Sequence, residues 1–484
     1  METEVRKIIE QTEIEYEKCF DMLCALKKED HLAIQKLFSD FQPTLANAIF
    51  NIEAKRIDVI NNEKGLIRNK ERIGKSEFIE KIKKLAKYKE ALQRTFYIGK
   101  SLGDAFAFFF YFNDRELLNK HLAKPENNIP ISIGGRGEVE FITKTRQVGS
   151  QFLLYHGITN ILRIGDFSLF DAKDWTISGL AELKTQHKEK GVLNITFSAL
   201  GKKDKMKIPL IANEQNKDAV KPHQLDDFVL KKLKRQMETI GDTFVEDKKK
   251  VSENRKIYST YLPTALEECL ANSAHALYNY VKADSGLIMM RIPFQGNSLH
   301  ERLFIEEKLD SEKFDPLITS LAKSILNSEG YHNNFEVSTI LYSPQGKPRL
   351  QLGITPLFWH TISPALLKQI YFQEVGVITI FNPSFLMSKL AEHGFVYYSA
   401  ISDKKIRLGK FMRDSETAWV IENFGFFKQL VKTFLQSEES IVQLFNSLPI
   451  SENFDPSKPQ RFNIDILQHF LGFDPFKNFT KSEN

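Results

Sequence analysis

Asp166, Glu182 and Lys184 lie in two apolar stretches, ILRIGDFSLF and TISGLAELKTQ, separated by the polar run 171–176. Side chains alternate along a strand, so Leu162, Ile164, Asp166, Ser168 and Phe170 share one face of the first stretch. Leu180, Glu182, Lys184 and Gln186 share one face of the second. An antiparallel hairpin centred on Asp174 sets Asp166 directly opposite Glu182. Two carboxylates about 4 Å apart repel by roughly 4 kcal/mol at an effective dielectric of about 20. A shared proton, a salt bridge or a divalent cation must offset that cost. Lys184 can neutralise one charge, which leaves the other in need of a partner. Hard oxygen ligands at this separation suit magnesium or manganese, ions that also gather phosphate and water oxygens into an octahedral shell. The chemistry on offer is the binding of a hard divalent cation together with phosphate and water oxygens.

IGD at 164–166 followed by ELK at 182–184, each embedded in an apolar strand of one hairpin, resembles the PD-(D/E)xK nuclease superfamily. The resemblance implies a divalent-metal-dependent endonuclease or exonuclease acting on nucleic acid, with DNA favoured. It implies an α+β fold with a central mixed β-sheet and flanking helices of the restriction-endonuclease kind. Asp166 and Glu182, with the backbone carbonyl of Leu183, would hold Mg2+ (or Mn2+). Lys184 would orient the attacking water, help deprotonate it and stabilise charge on the scissile phosphate. Gln186, on the same face beyond the lysine, stands where some branches of the superfamily place a glutamine. The family's sheet is followed by a helix with glutamine or basic residues near the substrate, and Lys231, Lys232, Lys234, Arg235 and Gln236 occupy that place. Such cations neutralise backbone phosphates and make binding salt-dependent. Gly165 stands where the motif has proline. Many members add an acid from the helix before the first strand. GSQFLLYHGITN, read as that helix, holds none, and Glu138, Glu140 and Glu116 are the acids available upstream. A nuclease of this size with further domains resembles a prokaryotic defence or restriction effector, by analogy alone.

The elements that must position these residues follow from periodicity. Residues 1–98 have Gly65, Gly74 and Pro43 as their breakers, and Val5, Ile8, Ile9, Tyr16, Cys19, Phe20 and Leu23 recur at helical spacing, as do Phe78, Ile79, Ile82, Leu85, Tyr88 and Leu92. That predicts a helical hairpin or bundle, whose surface could serve a homo-oligomer or a protein partner. Residues 99–285 are expected to form the nuclease-like domain. A Phe-rich helix near 101–120 leads to the turn GGRGE at 134–138, followed by strands in VEFIT, NILRIGDFSLF, TISGLAELKTQ, VLNITFSA and MKIPLIA. The basic helix 226–240 and a loop holding Lys248, Lys249 and Lys250 close it. Residues 286–484 read as a mixed α/β recognition or regulatory region, with strands in GLIMMRIPF, EVSTILYS, RLQLGI, GVITIFN and FVYYSAIS and an amphipathic helix in ETAWVIENFGFFKQLVKTFLQ.

Composition bounds the alternatives. Sixty-seven basic against 62 acidic residues leave +5 over 484 residues, so any nucleic-acid-binding patch must be local. Cys19, Cys24 and Cys269 form neither a CxxC pair nor a disulfide framework, and METEVRKIIEQTE lacks the apolar core of a signal peptide, which points to the cytoplasm. AFAFFFYF at 105–112 falls far short of the roughly 20 residues that span a bilayer. Gly-Lys-Ser at 74–76 and 99–101 lacks the earlier phosphate-loop glycine, since Asn69 and Arg94 stand there, and both tripeptides read as helix boundaries. His156, beside Phe152 and Tyr155, reads as a buried structural histidine, and no His/Cys cluster has zinc spacing. Leu230, Leu233 and Met237 would give the basic helix a buried stripe, leaving its cations solvated. The competing reading is a non-catalytic interaction or nucleic-acid-binding protein that uses a nuclease-like sheet as a platform.

Overall fold

The computed structural model describes residues 1–27, 31–125, 131–187, 193–201, 208–210, 227–244, 254–259, 261–271, 279–304, 316, 318–321, 323, 336–339, 351–352, 355–360, 362–399, 406–412, 415–418, 437–446 and 463–468. It is mixed α+β and forms two compact units. One holds the described residues of Met1–Asp247 with Asn297–Phe304; the other holds those of Lys248–Gly296 and Ile305–Asp474.

The first unit begins with three helices, α1 (Glu2–Lys27), α2 (His31–Arg68) and α3 (Lys75–Phe110). α1 buries Val5, Ile9, Tyr16, Cys19, Phe20 and Leu23, the stripe its 3-to-4 spacing requires. α2 and α3 pack as a hairpin around the short turn Lys70–Arg72, with Gly74 at the N-cap of α3. α3 passes through Gly99 without a break, so the expected boundary after residue 98 lies inside a helix and 99–101 is no helix end. Burial on both sides of the glycine, by Ile98, Leu102 and the run Ala105–Phe110, outweighs its poor helix propensity. The helices α4 (Arg115–Leu122) and α5 (Ile133–Lys144) follow. GGRGE and VEFIT, expected as a turn and a strand, therefore lie in one helix. Val139, Phe141 and Ile142 fit either period, and a short apolar run cannot decide between them.

Six strands come next: β1 (Gln147–Val148), β2 (Gln151–Tyr155), β3 (Phe167–Asp171), β4 (Thr176–His187), β5 (Leu193–Gly201) and β6 (Ile208–Leu210). They lie in chain order and every neighbouring pair is antiparallel. The expected mixed sheet is thus corrected to a meander, because consecutive strands here have no helical crossover between them. QFLLY, expected as a helix, is β2. NILRIGDFSLF becomes a strand only at Phe167, after the turn His156–Ile158 and an irregular loop. Helix α6 (Asp227–Thr243) and helix α5 both pack on β4. Phe141 of α5 lies against Phe167 and Phe197, while an added Cβ at Gly165 would meet Ile240 of α6.

The second unit has a four-stranded antiparallel sheet in the order Glu336–Thr339, Val375–Phe381, Leu287–Pro293, Asn279–Asp284. Its core includes Ile288, Met290, Ile292, Ile378 and Ile380. The expected boundary at 285/286 falls in the turn between two of these strands, so it divides a hairpin rather than two domains. A parallel pair, Asn254–Ser259 with Asn463–Gln468, stands apart from this sheet. Ser415–Ala418 is a strand where the amphipathic helix was expected to begin; residues 419–436, and Lys248 to Lys250, lie outside the described residues. Among the described residues no helix is long and apolar enough to cross a membrane.

Candidate active site

Asp166 sits at the end of the loop that enters β3, and four elements hold that loop. From α3, the Asp104 carboxylate accepts the Asn160 and Ile161 N–H groups at 2.5 and 3.1 Å, and the Lys100 ammonium donates to the Thr159 carbonyl at 3.0 Å. From α4, His121 Nδ1 accepts the N–H groups of Arg163 (2.9 Å) and Ile164 (3.0 Å). Arg163 in turn donates to the carbonyls of Asn160, Leu122 and Lys124, fastening the loop to the end of α4. From the turn after β2, the His156 N–H donates to the Asp166 carbonyl at 2.9 Å, and from β4 the Ala181 carbonyl accepts the Asp166 N–H at 2.8 Å.

A buried chain of hydrogen bonds runs behind the loop, and its direction follows from its ends. His121 Nδ1 accepts two backbone protons, so its Nε2 carries the proton and donates to Tyr111 Oη at 3.1 Å. Tyr111 then donates to Ser168 Oγ (2.5 Å), Ser168 to His156 Nε2 (2.5 Å), and His156 Nδ1 to the Gly165 carbonyl (2.9 Å). Each imidazole must remain neutral for this chain to be satisfied. Burial supplies the condition: it lowers His156 to about 3 and His121 well below its ordinary value. His156 is thus the structural histidine its apolar neighbours suggested, although on a turn and not on a helix.

The β3–β4 register pairs Phe167 with Ala181, Ser168 with Leu180 and Leu169 with Gly179, as a hairpin centred on Asp174 requires. A bulge shifts the pairing by one beyond Leu169. Asp166 lies just before the strand, and its Oδ2 accepts the Leu183 N–H at 2.8 Å. A strand residue directs its own N–H and C=O to the same side, so the Leu183 carbonyl faces the Asp166 side too. Lys184 Nζ donates to Glu182 Oε2 at 2.9 Å and approaches the Leu183 carbonyl at 3.3 Å. Gly165, where the family motif has proline, has φ +73°, a value the proline ring forbids. The departure is a backbone requirement of this loop.

Glu138 on α5 completes the constellation. It is 9 % exposed, its Oε2 accepts the Tyr155 hydroxyl proton at 2.8 Å, and it is raised well above the usual carboxylate range by burial and then by the Asp166 charge. Glu182, 4 % exposed, is raised by the same two causes in the same order, against the opposing effect of Lys184. Asp166 is therefore the shared neighbour of two buried acids, and a proton on Glu182 can be held between it and Asp166. Of the other candidates, Glu140 pairs with Lys144 and Glu116 with Lys120, both on their own helix surfaces. Sequence reasoning left the three acids equal; the signal that separates them is that Glu138 shares the buried stripe of Val139 and Ile142, once 133–144 is read as a helix. Gly137 marks the same contact: a Cβ there would lie 2.1 Å from Thr185 Oγ1, so α5 can approach β4 this closely only with glycine at that position.

Gln42, which sequence reasoning also missed, ties the helices to the sheet. Its Nε2 donates to the Leu153 carbonyl and its Oε1 accepts the Tyr155 N–H, both at 2.7 Å, so a side-chain amide pairs with β2 as a neighbouring strand would. Gln186 keeps its place on β4, opposite Asn194. Lys231, Lys232, Lys234 and Arg235 are exposed on α6, whose buried side chains among the described residues are Leu233, Ile240 and Thr243, while Gln236 is half-buried with Oε1 lacking a hydrogen-bond partner.

Asp166, Glu182 and the Leu183 carbonyl form an all-oxygen donor set whose carboxylates repel each other, which fits magnesium or manganese; magnesium commonly takes one or two carboxylates and keeps its waters. Among the described residues no three His, Cys, Asp or Glu side chains converge tightly enough to hold an ion by themselves. Glu138 is turned to Tyr155 and Glu182 to Lys184, so the acids are engaged by the protein's own donors. Comparison of the chain with protein-family models, with curated proteins and with solved structures finds no match to any.

Proposed function

We propose that the protein is a divalent-metal-dependent nuclease that hydrolyses phosphodiester bonds of nucleic acid, DNA foremost, with Asp166, Glu182 and Lys184 at its centre. The observation that carries this reading is the position of Asp166, half-buried between two acids that burial and its own charge keep from ionising freely, with an ammonium paired to one of them. Excess negative charge held in place by three structural elements is expensive unless a cation or an electrophile uses it. When bound, the metal would neutralise the carboxylates and lower the pKa of a coordinated water. Asp166, Glu182 and the Leu183 carbonyl would hold it, with Glu138 available on the Tyr155 side. Lys184 would direct its remaining protons at a phosphate oxygen and at the attacking water. Hydrolysis then forms a bond from the water oxygen to phosphorus, with the water's proton passing to solvent, and breaks the bond to the departing sugar oxygen, which takes up a proton from solvent. Gln186 and the cations of α6 would contact the strand beyond the scissile phosphate. A role as a defence or restriction effector rests on analogy and adds nothing to the chemistry.

The test is incubation of the full chain with linear, circular and single-stranded DNA and with RNA, in magnesium, manganese or EDTA. We expect cleavage in either metal and none in EDTA, with Lys184→Ala slowed at least about 100-fold, the scale of losing one preorganised charge. Cleavage that Lys184→Ala leaves unchanged removes that residue from the mechanism. No cleavage of any substrate favours the non-catalytic platform, in which Lys184 and Tyr155 serve to satisfy buried acids.

A further inference from the structure

The α2–α3 hairpin ends in a stretch with no buried residue. Val59 is the last buried position of α2 and Leu85 the first of α3, and all of 60–84 between them is exposed or half-buried. At 1.5 Å per residue, the two helix ends continue roughly 12–15 Å past those positions. This stretch holds eight basic and four acidic side chains, a net +4 in a chain whose total is +5. Three of the acids are already tied, Glu63 to Lys89, Glu77 to Lys81 and Glu80 to Lys84. Among the described residues, Lys64, Arg68, Lys70, Arg72, Lys75 and Lys83 have no carboxylate within ion-pair distance. Helix surfaces that serve only solubility alternate their charges in neutralising pairs, as the i,i+4 pairs of this same hairpin do. The turn between the helices instead concentrates one sign at an uncovered end.

We propose that this basic hairpin end is a docking surface for the phosphate backbone of nucleic acid. Charge complementarity selects a polyanion, and the choice of nucleic acid among polyanions rests on the nuclease reading. Flexible lysines and arginines on a solvated end suit contact with phosphates, which fixes position without reading sequence. Neutralising phosphates also releases counterions, so the contribution of this surface is legible in the salt dependence of binding.

The experiment is fluorescence anisotropy of a labelled duplex and a labelled single strand with the full chain, in EDTA so that no cleavage is needed, over a range of salt. The triple variant K70E/R72E/K75E is compared with K7E/K18E, two exposed positions on α1, and circular dichroism checks that each keeps its helices. We expect the triple variant to bind at least about tenfold more weakly and to lose about three units from the slope of log Kd against log salt, the value for three duplex phosphates. The α1 variant should match wild type. Unchanged affinity and slope in the triple variant, or an equal loss in the α1 variant, overturns the proposal. So does a wild-type protein that ignores both nucleic acids yet binds polyglutamate, which would make the occupant an acidic protein. Cleavage of the same duplex in magnesium is scored separately: hairpin-dependent binding without cleavage leaves the docking surface standing and removes the nuclease reading.

Discussion

At the scale of single residues, the site depends on one backbone conformation. Gly165 has φ +73°, and a Cβ there would lie 2.9 Å from the Ala181 carbonyl, the acceptor of the Asp166 N–H. Gly165→Ala should therefore cost about 2 kcal/mol, combining left-handed backbone strain with a displaced β4 contact. Differential scanning calorimetry should show the first unit melting roughly 5 °C lower. Because the displacement acts on Asp166, cleavage should fall by more than the melting point explains; a variant that melts lower but cleaves normally would show that the loop tolerates movement. The pair IGD and ELK was legible because alternation and a turn are local properties. Gly165 looked like a weakened motif because its loop is held by tertiary hydrogen bonds, from the Ile164 N–H to His121 and from His156 to the Gly165 carbonyl, residues distant in sequence or on an element misread as helix.

At the scale of elements, the strand pattern failed where a short apolar run suited two periods. VEFIT read as a strand and QFLLY as a helix, each the reverse of what forms, and the third acid was lost with them. Once α5 is a helix, Glu138 falls beside β2 and β4, and Gln42 and Tyr155 gain their roles. The Gln42 amide closes two buried backbone groups on β2, and Tyr155, next along, holds Glu138. Gln42→Leu leaves the Leu153 carbonyl and the Tyr155 N–H unpaired, at about 1–3 kcal/mol each. Amide hydrogen exchange at Tyr155 should accelerate strongly while the α2–α3 hairpin keeps its protection. Equal acceleration throughout the first unit would mean that Gln42 supports the whole unit and not the β2 edge. The long helices themselves were legible, since heptad-like stripes sustained over many turns admit one period. Their continuation through Gly99 was not, because tertiary burial decides it.

At the scale of the whole molecule, the buried titratable groups oppose one another with pH. His121 and His156 are lowered from the ordinary 6.5, so the unfolded chain binds more protons and the stability they contribute is lost as pH falls below that value. Glu138 and Glu182 are raised from the ordinary 4.5, so the native state binds more protons and stability falls as pH rises from there through their elevated range. Asp104, raised to about 6 by burial, adds to that decline only up to its own value. Above neutrality the histidines are uncharged in both states, so the glutamates govern the slope in the first unit until, near pH 9, the Cys19 thiol, also raised by burial, begins to add to the decline. Metal-free protein should melt at progressively lower temperature from about pH 7 to about pH 9. Glu438 in the second unit, raised to about 7 by burial and Asp284, ends its contribution earlier. Glu182→Gln removes one of the two charges and should flatten the decline, melting above wild type at the alkaline end while losing cleavage. Millimolar magnesium should restore wild type at high pH and do little near pH 6, where a proton already occupies the acids, and it should not stabilise Glu182→Gln to the same extent. A magnesium effect equal at both pH values, or equal in the variant, would place the cation elsewhere and leave Asp166, Glu182 and Lys184 as a self-satisfied ion cluster.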